Sequence, residues 1–144
     1  MAQFVEGRFD EALAGLEGPL TDIGQRWSVA MILASAGRHA EAIAILEPVE
    51  PEERASIIWD YALLLKFALN GERQRFQEIL RPEFVRMAEL DACTAVFLAM
   101  DYSMTGETDM ALDWREKGVS RGYFNYPFLR THDGCTAPLR GHPR

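Results

Sequence analysis

A glycine returns along this chain at a nearly fixed interval and opens a similar phrase each time: Gly7-Arg8-Phe9-Asp10-Glu11-Ala12-Leu13, then Gly37-Arg38-His39-Ala40-Glu41-Ala42-Ile43. Weaker copies begin at Gly71 and Gly106, so the steps are 37−7=30, 71−37=34 and 106−71=35 residues. A period of this length is that of helical hairpins stacked one on the next. One such hairpin cannot bury its apolar face alone, so a stack of them turns the functional question from which residues do chemistry to which surface receives a partner.

Glycine accepts the left-handed conformation that closes a helix C-terminus, so each copy marks where one helix stops and another starts. The flanks keep helical spacing. Before Gly37 stand Ile23, Trp27, Ala30, Leu33 and Ala34, and after it Ala42, Ile43 and Leu46. Trp59, Ala62, Leu63 and Phe67 precede Gly71, with Phe76, Ile79 and Leu80 after it; Val96, Leu98, Ala99 and Tyr102 precede Gly106, with Ala111, Leu112 and Trp114 following. That three-or-four rhythm predicts antiparallel helix pairs and an all-α chain. Pro48 and Pro51, among Glu47, Glu50, Glu52 and Glu53, mark a break between units, because proline lacks a helical donor yet suits a first helical turn. Pro82 plays a similar part after Leu80 and Arg81.

Small residues recur at fixed places: Ala12, Ala42 and Ala111 five positions after the glycine, with Ala30, Leu64 and Ala99 seven before it and the larger Leu33, Phe67 and Tyr102 four before. This pattern resembles the tetratricopeptide repeat, over roughly Gln3 to Ser120. The resemblance implies a right-handed α-solenoid with an N-terminal half-repeat, about three hairpins and a C-terminal cap. Its units are 1–20, 21–50, 51–85 and 86–120, with a tail over 121–144. The third phrase departs from the pattern, with Phe76 and Gln77 where alanine and an aliphatic residue belong, and so predicts a wider or shifted hairpin. Arg115 stands where a leucine is expected, beside Trp114.

Six residues ahead of Gly7 are too few for a full first helix, which predicts an orphan second helix whose Leu13 and Leu16 lack their usual cover. Either the chain was cut from a longer array or another molecule, such as a second copy, covers that end. The tail from Arg121 to Arg144 resembles the segment closing tetratricopeptide arrays in bacterial signalling and regulatory proteins. Tyr123, Phe124, Phe128 and Leu129 are expected as a lid on the last helices, with Pro127 starting a short helix.

The resemblance also implies where a partner sits. The first helix of each hairpin lines a concave face at ten, six, three and two positions before the glycine. Here those are Trp27, Met31, Ala34 and Ser35; Tyr61, Leu65, Ala68 and Leu69; and Val96, Met100, Ser103 and Met104. Family members that hold a chaperone's C-terminal carboxylate use Lys, Asn and Arg at such places, and none stands here. An apolar trough suited to a protein helix or extended segment remains, methionine adapting to irregular shapes. Apolar spacing alone does not separate such a groove from core buried by the superhelical turn or by the array's own tail.

Little points to chemistry. His132, Asp133, Cys135 and His142 lack the paired short loops of a zinc site, and His39 has no nucleophile predictably beside it. Acids such as Asp10-Glu11, Glu52-Glu53, Glu89 and Asp91 read as helix-start or surface residues, and no phosphate-cradling or nucleophile-elbow motif occurs. The expectation is a protein that is not an enzyme and uses no cofactor or metal. A net charge of −7 without a basic stripe argues against nucleic acid, and the apolar runs are too short for a membrane span. Two distant cysteines, Cys93 and Cys135, and no visible secretory signal point to the cytoplasm. The reading is therefore a protein-binding module with an apolar groove; the alternative is a self-associating homodimer that uses its open N-terminal end and that groove.

Overall fold

The computed structural model of the protein describes residues 2–16, 18–123 and 125–143. They form ten α-helices and no strand: α1 (Ala2–Val5), α2 (Phe9–Ala14), α3 (Ile23–Ser35), α4 (His39–Leu46), α5 (Ile57–Leu69), α6 (Arg73–Ile79), α7 (Pro82–Leu90), α8 (Ala92–Met104), α9 (Thr108–Ser120) and α10 (Tyr126–Thr131). The expected all-α class holds.

The repeat is written into the backbone. At the end of α3, Gly37 takes φ +76°, its N–H bonds the Ala34 carbonyl at 2.9 Å, and the Arg38 N–H reaches back to Leu33 at 2.8 Å. These two bonds satisfy carbonyls that a helix end leaves unpaired, and the positive φ is open to glycine at no steric cost. Gly7, Gly71 and Gly106 repeat both bonds and the φ. The next residue, Arg8, Arg38, Glu72 or Glu107, has φ between −82° and −87° in all four copies. A three-residue turn thus joins α1 to α2, α3 to α4, α5 to α6 and α8 to α9, and each of these pairs packs together. Gly122 makes the same turn after α9, outside the regular interval.

Between pairs, α3 packs on α5 and α5 on α8. Exposed ion pairs link neighbouring turns: Arg38 with Asp10 at 3.2 Å, and Arg73 with Glu107 at 2.6 Å. Such pairs contribute little energy, but they set the Gly7 turn beside the Gly37 turn and the Gly71 turn beside the Gly106 turn. Asp22 caps α3 by accepting the Gln25 N–H at 2.9 Å, and Asp91 caps α8 through the Thr94 N–H at 2.7 Å. The Pro48–Pro51 break is tied down by Lys66, whose ammonium donates to the Glu47 and Val49 carbonyls.

The crossings explain the small residues. Ala42 and Ala111 are fully buried. Gly118 marks a closer approach, since a Cβ there would lie 2.7 Å from Val96 Cγ2 and 3.1 Å from the Ala92 carbonyl. Phe76, in the irregular third phrase, is buried with its ring 5.2 Å from that of Tyr102. At the second departure, Trp114 is buried and Lys117 covers its ring.

Two features differ from expectation. Pro82 does begin a helix, but α7 is an extra one, running across the expected boundary between units 51–85 and 86–120. It is fastened by Phe84, whose ring meets Tyr61 at 4.9 Å, and by Arg81 at its start, which shares the buried Asp60 carboxylate with Arg54. The tail, in turn, covers more than the last helices. Pro127 lies in the first turn of α10, Phe128 and Leu129 are buried, and burial pushes the half-covered Tyr123 phenol up to about 12. The Phe128 ring, however, meets Phe4 of α1 at 4.6 Å and Phe9 of α2 at 6.5 Å. Phe4 gives α1 its buried anchor, so a single helical turn ahead of Gly7 supplies cover that the orphan-helix expectation did not include. Phe124 lies outside the described residues.

Candidate functional site

The residues expected to line the groove fall into three environments. Leu65, Val96 and Met100 are core: Leu65 has no exposed surface, Met100 is 1% exposed, and Val96 is wedged against Gly118. Ser35, Ser103 and Met104 lie under the tail. Trp27 and Met31 border an open cleft, with Tyr61 packed behind Trp27.

The tail crosses the C-terminal ends of α3, α5 and α8. Gly134 donates its N–H to the Ser35 carbonyl at 2.7 Å, so close that a Cβ on Gly134 would stand 2.6 Å from that oxygen. Gly134, Cys135 and Pro138 share a shallow depression of about 170 Å³ with Ala68, Leu69, Ser103 and Met104. Asp133 holds this loop in shape by accepting the N–H groups of Cys135 at 3.0 Å and Thr136 at 3.1 Å and the Thr136 hydroxyl at 2.7 Å. Burial pushes the Asp133 carboxyl up, and those bonds work against the shift. Burial also pushes the Cys135 thiol well up, leaving it a poor nucleophile. Nearby in sequence, His132 packs against Gly7. Among the described residues no group of three or more His, Cys, Asp or Glu side chains is placed to hold a metal.

The open part is a cleft of about 340 Å³ between the α1–α2 pair and α3, with Phe97 of α8 at its far side. Phe4, Ala12, Leu16, Met31 and Ile32 make its apolar walls, and Gln3, Glu11 and Ser28 its polar points. The volume lies at the lower end of the roughly 300–1,000 Å³ typical of ligand clefts. Its aromatic floor is rigid: Trp27 meets Phe97 edge-on at 5.2 Å and Tyr61 at 5.1 Å. Tyr61 is fixed in turn by a 2.6 Å bond to the Thr94 hydroxyl, which donates to Asp91 at 2.7 Å. The two Thr94 bonds hold the Asp91 carboxyl below its usual range. The Trp27 indole nitrogen is buried and has no acceptor among the described residues.

Sequence reasoning missed Phe97 and Phe4 as cleft residues, whereas Leu16 already stood on the end expected to lack cover. Phe97 sits nine places before Gly106, one off the groove register, and the first six residues have no complete helical pattern to align.

Comparison with protein-family models, curated proteins and solved structures finds no match to this chain. The described residues define an all-α protein whose tail covers Ser35, Ser103 and Met104 of the expected groove and whose apolar cleft is open at the N-terminal end. No described helix is long and apolar enough to cross a membrane.

Proposed function

We propose that the chain is a tetratricopeptide-like solenoid module without catalytic activity, which takes an apolar helix or extended segment of a partner protein in the cleft between α1–α2 and α3. The observation that carries this reading is the cleft itself, whose apolar walls come from α1, α2 with the turn after it, and α3, and rest on the interlocked rings of Trp27, Tyr61 and Phe97. A preorganised apolar trough with few polar points suits an apolar side-chain row, because little ordering cost falls on the receiving protein. The four matching glycine turns support the repeat architecture, and the free thiols Cys93 and Cys135 suit a reducing bacterial cytoplasm.

Leu16 borders the cleft and is only half-buried, so Leu16→Glu tests the site without placing a charge in the core. Met100 would be a poor choice, since a charge at so buried a position reports on folding. Partner capture by the purified chain should be lost in Leu16→Glu while its circular dichroism and thermal unfolding stay close to wild type. Undiminished capture would refute the proposal. Light scattering over a concentration series separates the alternative: growth to a dimer, reversed by Leu16→Glu, would identify the occupant as a second copy.

A further inference from the structure

A second cleft, of about 260 Å³, lies where the tail meets α9, on residues the apolar site does not use. Its floor is Leu129 and Leu139, both buried, and its walls carry Arg115 from α9, Arg130 from α10, and Arg140 and His142 from the last segment. Charge in this chain is unevenly distributed. Residues 121–144 hold four arginines against Asp133 alone, 4−1=+3, whereas residues 1–120 hold 11 basic and 21 acidic residues, 11−21=−10. The one acid of the tail does not neutralise the arginines, because its carboxylate is buried and turned to Cys135 and Thr136. Arg140 instead donates to the Asp133 main-chain carbonyl, which fixes its guanidinium at the cleft without cancelling its charge. Arg115 and His142 are engaged in other contacts, whereas Arg130 and Arg140 are exposed and line the cleft.

Two exposed guanidinium groups brought to one cleft from α10 and the last segment gain from an anion placed between them, and guanidinium forks match tetrahedral oxyanions. The two leucines beneath add a dry surface that a bare ion would not use. We propose that this cleft binds a phosphate monoester, its phosphate held by Arg130 and Arg140 and its apolar stem laid on Leu129 and Leu139. The reading is independent of the apolar cleft, whose failure would leave it standing.

Calorimetric titration of the full chain at fixed ionic strength tests it, with phenyl phosphate, inorganic phosphate and benzoate as probes. The expected result is saturable binding of phenyl phosphate, tighter than inorganic phosphate by about threefold or more, as a buried apolar stem should provide. Arg130→Gln should weaken phenyl phosphate by about tenfold through loss of a charge-assisted bond. Arg86→Gln, which removes an exposed arginine paired with Glu83 on α7, should leave it unchanged. Arg130→Lys, which keeps the charge but not the fork, should fall between wild type and Arg130→Gln. No saturable phosphate binding, equal losses in Arg130→Gln and Arg86→Gln, equal affinity for inorganic phosphate, or equal affinity for benzoate would each overturn the proposal.

Discussion

The ring of Phe128 in the last helix lies 4.6 Å from that of Phe4 in the first, so the two ends of the chain are packed on each other. This contact lets a one-turn helix hold its place and makes the tail a structural part of the N-terminal cleft. Phe4→Ala and Phe128→Ala should each destabilise by about 3 kcal/mol, the usual cost of removing a buried aromatic ring. Together they should show a coupling of about 1 kcal/mol, measured by urea unfolding in a double-mutant cycle. Additive losses would mean that the rings touch without stabilising one another.

The repeat itself was legible because it is local. A glycine that must adopt positive φ, with helical spacing on both sides, needs no knowledge of distant residues, and Gly37 behaves as its sequence neighbourhood predicts. The encounter of Phe128 with Phe4 is of another kind. An aromatic residue advertises that it will be buried but not against what, and 124 positions separate the two (128−4=124). Likewise, the run from Pro82 to Leu90 is a helix, but its place between α6 and α8 is held by contacts across the chain, Phe84 on Tyr61 and Arg81 at its start on Asp60, which no periodicity displays. The cleft was partly legible: Trp27 and Met31 stood in the expected register and Leu16 on the end expected to be open, whereas Phe97 and Phe4 carried no such signal.

The Asp60 cluster should be costly to break. Asp60→Ala would leave the mostly buried Arg54 without its counter-charge and Arg81 with only solvent, and should destabilise by about 3 kcal/mol in thermal or urea unfolding. A loss below about 1 kcal/mol, typical of exposed pairs, would show that the cluster is solvated.

Asp101 should make stability depend on pH. It is buried, one carboxylate oxygen has no partner among the described residues, and burial pushes its carboxyl well above the usual range. With a folded pKa above the unfolded value of about 3.9, the folded state holds the proton longer. Its contribution to stability is therefore fully present below that unfolded pKa and is lost as pH rises toward the folded one. Asp101→Asn should gain on wild type as pH is raised from about 4.5 to 7, as read by urea unfolding at each pH. A stability difference that does not change with pH would contradict this.

The crossing of α8 and α9 leaves no room at Gly118. Gly118→Ala gains helix propensity of about 1 kcal/mol, yet its new Cβ meets the stiff Val96 side chain and a main-chain carbonyl, so a net loss of about 1 kcal/mol is expected. Ala42→Leu, at a fully buried crossing, should cost about 1–3 kcal/mol. A stabilised Gly118→Ala in thermal unfolding would mean that the helices part easily there.

The most direct test of the account replaces Leu16, at the edge of the apolar cleft, with a photo-crosslinking amino acid, and maps the adducts formed in the source cell by mass spectrometry. The account predicts adducts on a contiguous apolar segment of another protein, lost when Ser28 on the opposite wall is changed to a bulky Trp. Adducts scattered over unrelated proteins and insensitive to Ser28→Trp, or none at all, would contradict it.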